Sequence, residues 1–280
     1  MTAPIDLTGQ SLTEALAALQ LRVRKAPGDG SLRNFLFQLL AVMGQWDRAL
    51  TQLGVAGELD AGAIAMVQTY RDAVQAEALR ADVFAGRRAP VVFGEPAPWV
   101  ALMLEALKLS GEGHHAKAAE LRAKALEDAP ATPGHIVTAA HAPAGDAPPA
   151  GDAFEWLADA DSRLGPMFEA TVQGRYWWIP TGRVKRLHIE APADLRDLVW
   201  TPVHFEWANG GEAWGMMPTR YPGSEGVEDD LLKLARRTDW TEVAEGTFHG
   251  AGQRMFATDA GEYPLLEIRS VEFDLPASDA

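Results

Sequence analysis

The chain has 280 residues, a formal net charge of −14 at pH 7 and no cysteine. Its 47 % hydrophobic and 23 % charged residues are typical of a folded protein, and its length suits one large domain or two ordinary ones. The lack of cysteine excludes disulfides and thiolate metal sites, and the negative charge argues against nucleic acid as a partner, because its phosphates would be repelled.

The amino-terminal sequence MTAPIDLTGQ lacks the basic stretch and apolar core of a signal peptide. Nothing later approaches the ~18 uninterrupted apolar residues of a membrane span. We therefore expect a soluble, cytoplasmic protein that has no membrane partner.

Charge and tryptophan are distributed unevenly along the chain. Residues 1–150 carry 13 Lys or Arg and 16 Asp or Glu, a net charge of −3, whereas residues 151–280 carry 12 and 23, a net charge of −11. Seven of the nine tryptophans lie in the second region. Such different compositions predict two domains.

Apolar residues at the spacing of amphipathic helices recur through the first region. Gly44 suits a tight turn, and Trp46 begins a returning apolar face after it. The sequence therefore predicts a helix, a turn and a second helix around Gly44. The first helix of this pair spans 32–43, and the other predicted helices span 12–25, 63–84, 99–109 and 116–130.

The spacing of turn residues predicts a repeat. Gly44 and Gly113 are 69 residues apart, as are Pro27 and Pro96, and Pro130 follows Pro96 by 34. A 34-residue helix–turn–helix period is typical of tetratricopeptide repeats, so residues 1–130 are predicted to form a TPR-like helical repeat domain with an irregular middle unit. The alternative is an irregular helical bundle in which these spacings arise by chance.

A helical-repeat groove would bind a partner through the first helix of each unit. Those helices would be 32–43, 63–74 and 97–109, and their apolar stripes would face neighbouring helices. The polar residues between the stripes would then face a ligand, and the predicted partner-binding residues are Asn34, Gln38, Gln68 and Arg71.

Residues 131–152 are rich in Pro, Ala and Gly, without a periodic apolar face, and are predicted to be a linker. The region that follows, 153–280, changes to the pattern of strands. Residues 203–217 predict a β-hairpin, and 175–180 and 253–273 predict further strands. One helix is predicted over 227–237. The expected fold class is α+β, with a small, strongly bent sheet or barrel-like domain after the helical repeats.

The segment PGSEG at 222–226 only partly matches the G-x-S-x-G nucleophile motif, because Pro222 replaces the first glycine. We expect a tight loop with an unreactive Ser224. In the neighbouring TRYPGSEG sequence, Arg220 is expected to bind a carboxylate or backbone carbonyl groups.

The segment ADADSRLGP at 158–166 brings two carboxylates close to an arginine. Paired carboxylates can act as acid and base or bind a divalent cation. However, no calcium-loop pattern follows, and Arg163 would compete as an internal cation. We favour a structural ion pair of Asp161 with an arginine.

No metal or cofactor site is predicted. The seven histidines include no H-E-x-x-H motif, and GAGQRM at 250–255 lacks the third glycine of a dinucleotide fingerprint.

Several of these segments, among them FLFQLLAVMGQWDRALTQL, ADADSRLGP, GRYWWIP and RYPGSE, resemble the ImpE/TagJ family of type VI secretion accessory proteins. The resemblance covers nearly the whole chain. It implies a cytoplasmic, non-enzymatic adaptor that binds the N-terminal helix of the small subunit of the contractile sheath and modulates sheath assembly or disassembly. The sheath-disassembly ATPase would be an indirect partner.

Two alternatives remain open. One is an enzyme with a site around Asp161, Arg163 and Arg220, which requires these groups to meet in an open pocket. The other is a purely structural dimer.

Overall fold

The computed structural model describes residues 9–141 and 151–275. The first part of the described chain is helical. Its long helices are α1 (Leu12–Lys25), α2 (Gly30–Val42), α3 (Trp46–Leu59), α4 (Ile64–Phe84), α5 (Pro98–Gly111) and α6 (His115–Asp128).

Local signals set the ends of these helices. Ser11 and Glu14 form a capping box at the start of α1, and the Asp29 side chain accepts a hydrogen bond from Leu32 N in the first turn of α2. Gly44 and Gly113, at φ +66° and +85°, make the turns from α2 to α3 and from α5 to α6. The predicted helix–turn–helix at Gly44 is confirmed.

Helix α4 separates the α2–α3 pair from the α5–α6 pair, and it packs against the sheet as well as against α3 and α5. Helix α4 therefore has no helical partner of its own within a repeat unit. These contacts do not establish a regular tetratricopeptide array, which stays a prediction.

Strands dominate the second part, and the fold class is α+β, as predicted. The strands are β1 (Val91–Val92), β2 (Gly134–Thr138), β3 (Asp152–Phe154), β4 (Leu157–Asp159), β5 (Met167–Val172), β6 (Arg175–Pro180), β7 (Val184–Ile189), β8 (Trp200–Trp207), β9 (Glu212–Pro218), β10 (Thr238–Ala244), β11 (Thr247–Gly252), β12 (Met255–Thr258), β13 (Glu262–Pro264) and β14 (Ile268–Phe273).

The main sheet has nine strands in the order β1-β6-β5-β9-β8-β7-β14-β2-β3. All neighbours are antiparallel except β1, which runs parallel to β6 with Val91 opposite Trp177. Strands β13, β12 and β4 form a second sheet, and β10 pairs with β11. The hairpin predicted over 203–217 is confirmed by the β8–β9 register, in which Phe205 lies opposite Ala213.

The helical region and the sheets share their cores. Trp200 of β8 packs against Trp46 and Tyr70, with ring centroids 5.8 and 6.0 Å apart, and Trp178 of β6 packs against Phe84 at 5.6 Å. Burial of such large aromatic surfaces holds the two regions together.

Three predictions need correction. Residues Gly134–Thr138, inside the predicted 131–152 linker, form strand β2 between β14 and β3, and residues 142–150 lie outside the described ranges. The nine-stranded sheet is larger than the small sheet that the sequence predicts, and its strong bend or barrel-like shape stays a prediction. Within 227–237, only α7 (Asp230–Lys233) is α-helical, because Ala235 at φ +52° ends the turn.

Candidate functional site: a buried charge cluster and an open cleft

Charged side chains buried between α4 and the sheets form a cluster. Arg80 donates two hydrogen bonds to Glu169 of β5, from Nε to Oε2 at 3.0 Å and from Nη2 to Oε1 at 2.7 Å. Arg254, just before β12, pairs with Glu169 and with Asp159 of β4. All four residues are at most 5 % exposed. The cluster therefore links three stretches of the chain that are far apart in sequence: α4, the β4–β5 region and the residue before β12.

Aromatic donors complete the cluster. The Tyr176 hydroxyl donates to Glu169 and accepts a hydrogen bond from Trp178 Nε1 at 2.8 Å. Trp200 Nε1 donates to Glu77 Oε1 at 2.9 Å. Buried polar groups that are satisfied in this way form a rigid structural network.

The two acids that flank Arg254 differ in pKa. Burial would raise the pKa of Glu169, but the guanidinium groups of Arg80 and Arg254 outweigh it and lower the pKa to about 2. Burial raises the pKa of Asp159 to about 7, and Arg254 offsets this only in part. Glu169 is thus held as an anion, whereas burial makes Asp159 easier to protonate than an ordinary aspartate.

Arg220 anchors the loop that follows β9. Its Nη1 donates to the carbonyl oxygens of Val42, at 2.7 Å, and Lys233, at 2.6 Å. Burial lowers the Arg220 pKa to about 10, and the nearby carboxylates of Glu225 and Glu77 oppose this shift. Backbone carbonyls at the end of α2 are the kind of partner that the sequence predicts for this arginine.

Asp161 is fully buried and accepts hydrogen bonds from Arg163 Nε and Gly250 N, both at 2.8 Å. Burial would raise the Asp161 pKa, but Arg163 and the backbone donors lower it overall. Arg220 lies in a separate set of contacts. The structure therefore does not bring Asp161, Arg163 and Arg220 together in an open pocket.

Ser224 is also fully buried. Its Oγ donates to the carbonyl oxygen of Tyr221 at 2.6 Å and accepts a hydrogen bond from Gly252 N at 2.8 Å. This hydroxyl contacts no histidine in the described residues and closes a loop.

An open cleft near the predicted binding residues lies between α4 and β9, and we name it the α4–β9 cleft. Its volume is about 580 Å³, and Trp214 at its rim is 58 % exposed. The α4 wall is one helical face of small or polar side chains, and the other wall comes from the β5–β6 turn and strands β8 and β9. The lining residues are Ala65, Gln68, Thr69, Asp72, Thr171, Gln173, Gly174, Pro202, Ala213, Trp214, Gly215 and Met216.

The structure does not bring the four predicted partner-binding residues together. Gln68 lines the α4–β9 cleft and donates to Asp72 Oδ1 at 2.9 Å, and Arg71 is exposed on the same helix. Gln38 is only 5 % exposed, and Asn34 is half-buried with an Oδ1 that has no hydrogen-bond partner in the described chain. Helix α2 contacts α1, α3 and the turn at 195–198, and the burial of Gln38 leaves little of its surface for a partner.

Within residues 9–141 and 151–275, no group of three or more His, Asp or Glu side chains is placed to hold a metal ion. In the same ranges, no helix combines the length and the apolar character that crossing a membrane requires.

Comparison with known proteins identifies the family to which this protein belongs. Residues 151–272 match the model of the ImpE protein family. The chain is 50 % identical over 274 residues to the type VI secretion system accessory component TagJ of Pseudomonas aeruginosa, covering 98 % of this chain and 92 % of that one. The chain therefore belongs to the ImpE/TagJ family, as the sequence predicts.

A solved structure agrees with the fold. The crystal structure of protein VPA1032 from Vibrio parahaemolyticus matches with a TM-score of 0.78 and 24 % identity, over 95 % of this chain and 94 % of that one. At this identity the match supports the architecture alone.

Sequence analysis missed the buried cluster and the cleft wall formed by β9. A signal for the cluster exists in α4, where Glu77 and Arg80 continue the buried stripe of Tyr70 and Val74. Glu169 lies likewise between buried Phe168 and Ala170. Charged residues on an apolar stripe indicate buried pairing, since an unpaired buried charge is costly.

Proposed function

We propose that this protein is a non-enzymatic, cytoplasmic adaptor of the type VI secretion machinery that binds the N-terminal helix of the small sheath subunit. Its relative in Pseudomonas aeruginosa is named an accessory component of that system. By holding this helix, the adaptor would modulate sheath assembly or disassembly and affect the disassembly ATPase indirectly.

The α4–β9 cleft is the observation that carries this proposal. On α4, Ala65, Gln68, Thr69 and Asp72 follow the spacing of one helical face, and Ala65 lets another backbone approach closely. On the other side, Trp214 offers a large apolar surface. A cleft with a helical wall and an exposed aromatic rim suits an amphipathic helix that inserts its apolar face.

The contributions to affinity should be unequal. Trp214 is the expected hot spot, because exposed aromatic side chains at interfaces often account for much of the binding energy. Polar contacts from Gln68 and Arg71 should each contribute on the order of 1 kcal/mol. Gln38 is no longer expected to contribute directly, since it is buried.

The test is titration of a synthetic peptide from the small sheath subunit's N-terminus. Gln68→Ala combined with Arg71→Ala should weaken binding several-fold, and Trp214→Ser about tenfold or more. The exposed tryptophan Trp240 lines neither this cleft nor the other pockets described, so Trp240→Ser is the matched control and should bind like the wild type. Equal affinities for wild type, the double variant and Trp214→Ser would place the site elsewhere.

A further inference from the structure

A second apolar depression lies between the end of α6 and the segment that joins β3 to β4, and we name it the α6–β4 pocket. Its volume is about 330 Å³. Two large side chains at its edge stand open to solvent, Leu126 at 47 % and Trp156 at 42 % exposure. Its lining includes no charged residue: Leu126, Ala129, Pro130, Ala131, Thr132, Trp156, Leu157, Ala158 and Pro166.

Hydrogen bonds, strand pairing and close packing hold the walls of this pocket. Glu155 N donates to Asp259 Oδ1 at 2.7 Å, next to Trp156, and Leu157 pairs with Thr258 of β12. Gly165 lies against Leu126, where a Cβ would be 3.5 Å from Leu126 Cδ2. A pocket held in this way needs little reorganisation to accept a ligand.

Acidic residues border the pocket. Glu127, Asp128 and Glu155 are exposed neighbours of its lining residues, and no ion pair within residues 9–141 and 151–275 uses them. Glu127 and Asp128 also end α6, where the helix dipole is negative and cations are favoured. The last turn of α1, by contrast, carries three basic residues.

We infer that the α6–β4 pocket binds a basic peptide segment of a protein partner. A large aliphatic or aromatic side chain of that segment packs between Leu126 and Trp156, and adjacent lysines or arginines meet Glu127, Asp128 and Glu155. Such cations relieve the unfavourable charge at the end of α6. The acidic border disfavours anionic lipid and nucleic acid. The pocket shares no residue with the α4–β9 cleft, so this inference does not rest on the proposed function.

The probe is a fluorescein-labelled amphipathic Lys/Leu peptide, compared with Glu/Leu and Lys/Ser peptides of equal length in anisotropy titrations. The Lys/Leu peptide should bind saturably at the α6–β4 pocket and more tightly than the Glu/Leu and Lys/Ser peptides. Trp156→Ser or Leu126→Asn should weaken its binding about tenfold. Glu127→Lys combined with Asp128→Lys should weaken it about tenfold and flatten its salt dependence.

The matched control is Leu231→Asn, which changes a comparably exposed leucine outside both the pocket and the cleft and should bind like the wild type. Equal binding of the Lys/Leu and Lys/Ser peptides, or unchanged binding by Trp156→Ser and by the double charge reversal, would overturn the inference. So would a lack of saturable binding at about 1 mM peptide. Circular-dichroism melts show which variants fold, and the double reversal on the exposed helix end decides the matter if Trp156→Ser unfolds.

Discussion

Arg80 of helix α4 and Glu169 of strand β5 form a doubly hydrogen-bonded ion pair in the interior, 89 residues apart in sequence. Arg80 Nη2 also donates to the Arg220 carbonyl oxygen at 2.7 Å, so one guanidinium holds α4, the sheet and the loop after β9 together. Both side chains are buried, so when one of them is removed, water cannot take its place beside the other.

Removing Arg80 should therefore be costly. Arg80→Ala leaves the Glu169 carboxylate and the Arg220 carbonyl without this donor, and should lower the free energy of unfolding by about 3–5 kcal/mol. Arg87→Ala is the matched control, because the Arg87–Asp82 pair is largely exposed and should contribute under about 1 kcal/mol. Urea unfolding of both variants measures the difference. Similar losses would contradict a special role for the buried pair.

The two glycine turns between helices should respond differently to alanine. Both have positive φ, so each substitution should cost about 1 kcal/mol from backbone strain. At Gly44 an added Cβ would also lie 2.5 Å from Glu225 Cγ, whereas at Gly113 no atom lies within 4 Å. Gly44→Ala should thus lower the melting temperature more than Gly113→Ala. Glu225→Gly should remove most of that difference, and an unchanged difference would show that this contact is not its cause.

The helices could be predicted because their signals are local. The predicted 12–25 helix is observed as Leu12–Lys25, with apolar positions that repeat at the helical period. The hairpin around Asn209 was equally accessible, since an Asn-Gly-Gly turn separates two aromatic runs.

The sheet could not be predicted in full, because its pairings are long-range. Strand β2 lies in an Ala- and Pro-rich stretch that reads as a linker, and only its neighbours β14 and β3 make it a strand. The α4–β9 cleft depends on Gln68 and Trp214, which line the same cleft although they are 146 residues apart in sequence. Nothing in the local sequence of either residue encodes that proximity.

Cutting the chain within 142–150 should leave its two parts associated. Strand β2 belongs to the amino-terminal part, yet it pairs with β14 and β3 of the other part, and Arg80 binds Glu169 across the same division. A specific protease site introduced between Gly145 and Asp146 allows the test. After cleavage, the fragments should co-elute on size exclusion and separate only in denaturant. Separation under native conditions would instead support two independent domains joined by a linker.

The last expectation concerns pH. His249 lies 3.4 Å from Ser110 Oγ and faces the His115 ring, with Arg163, Asp161 and Arg122 nearby. Burial, then the positive charge of Arg163, lowers its pKa from 6.5 to about 4. Between these values the unfolded chain binds more protons, so this contribution to stability is complete above pH 6.5 and is lost as the pH falls towards 4.

His249→Gln should therefore reduce the loss of stability between pH 7 and pH 5.5 by about 1 kcal/mol, a value that allows for partial exposure of the ring. The raised pKa of Asp159 acts in the opposite direction, favouring the folded state as the pH falls through about 7, but it is common to both proteins and cancels in the comparison. His135→Gln, at an exposed histidine of β2, is the control. Urea titrations at several pH values measure the effect. If the wild type, His249→Gln and His135→Gln all lose stability in parallel on acidification, then protonation of His249 does not limit stability in acid.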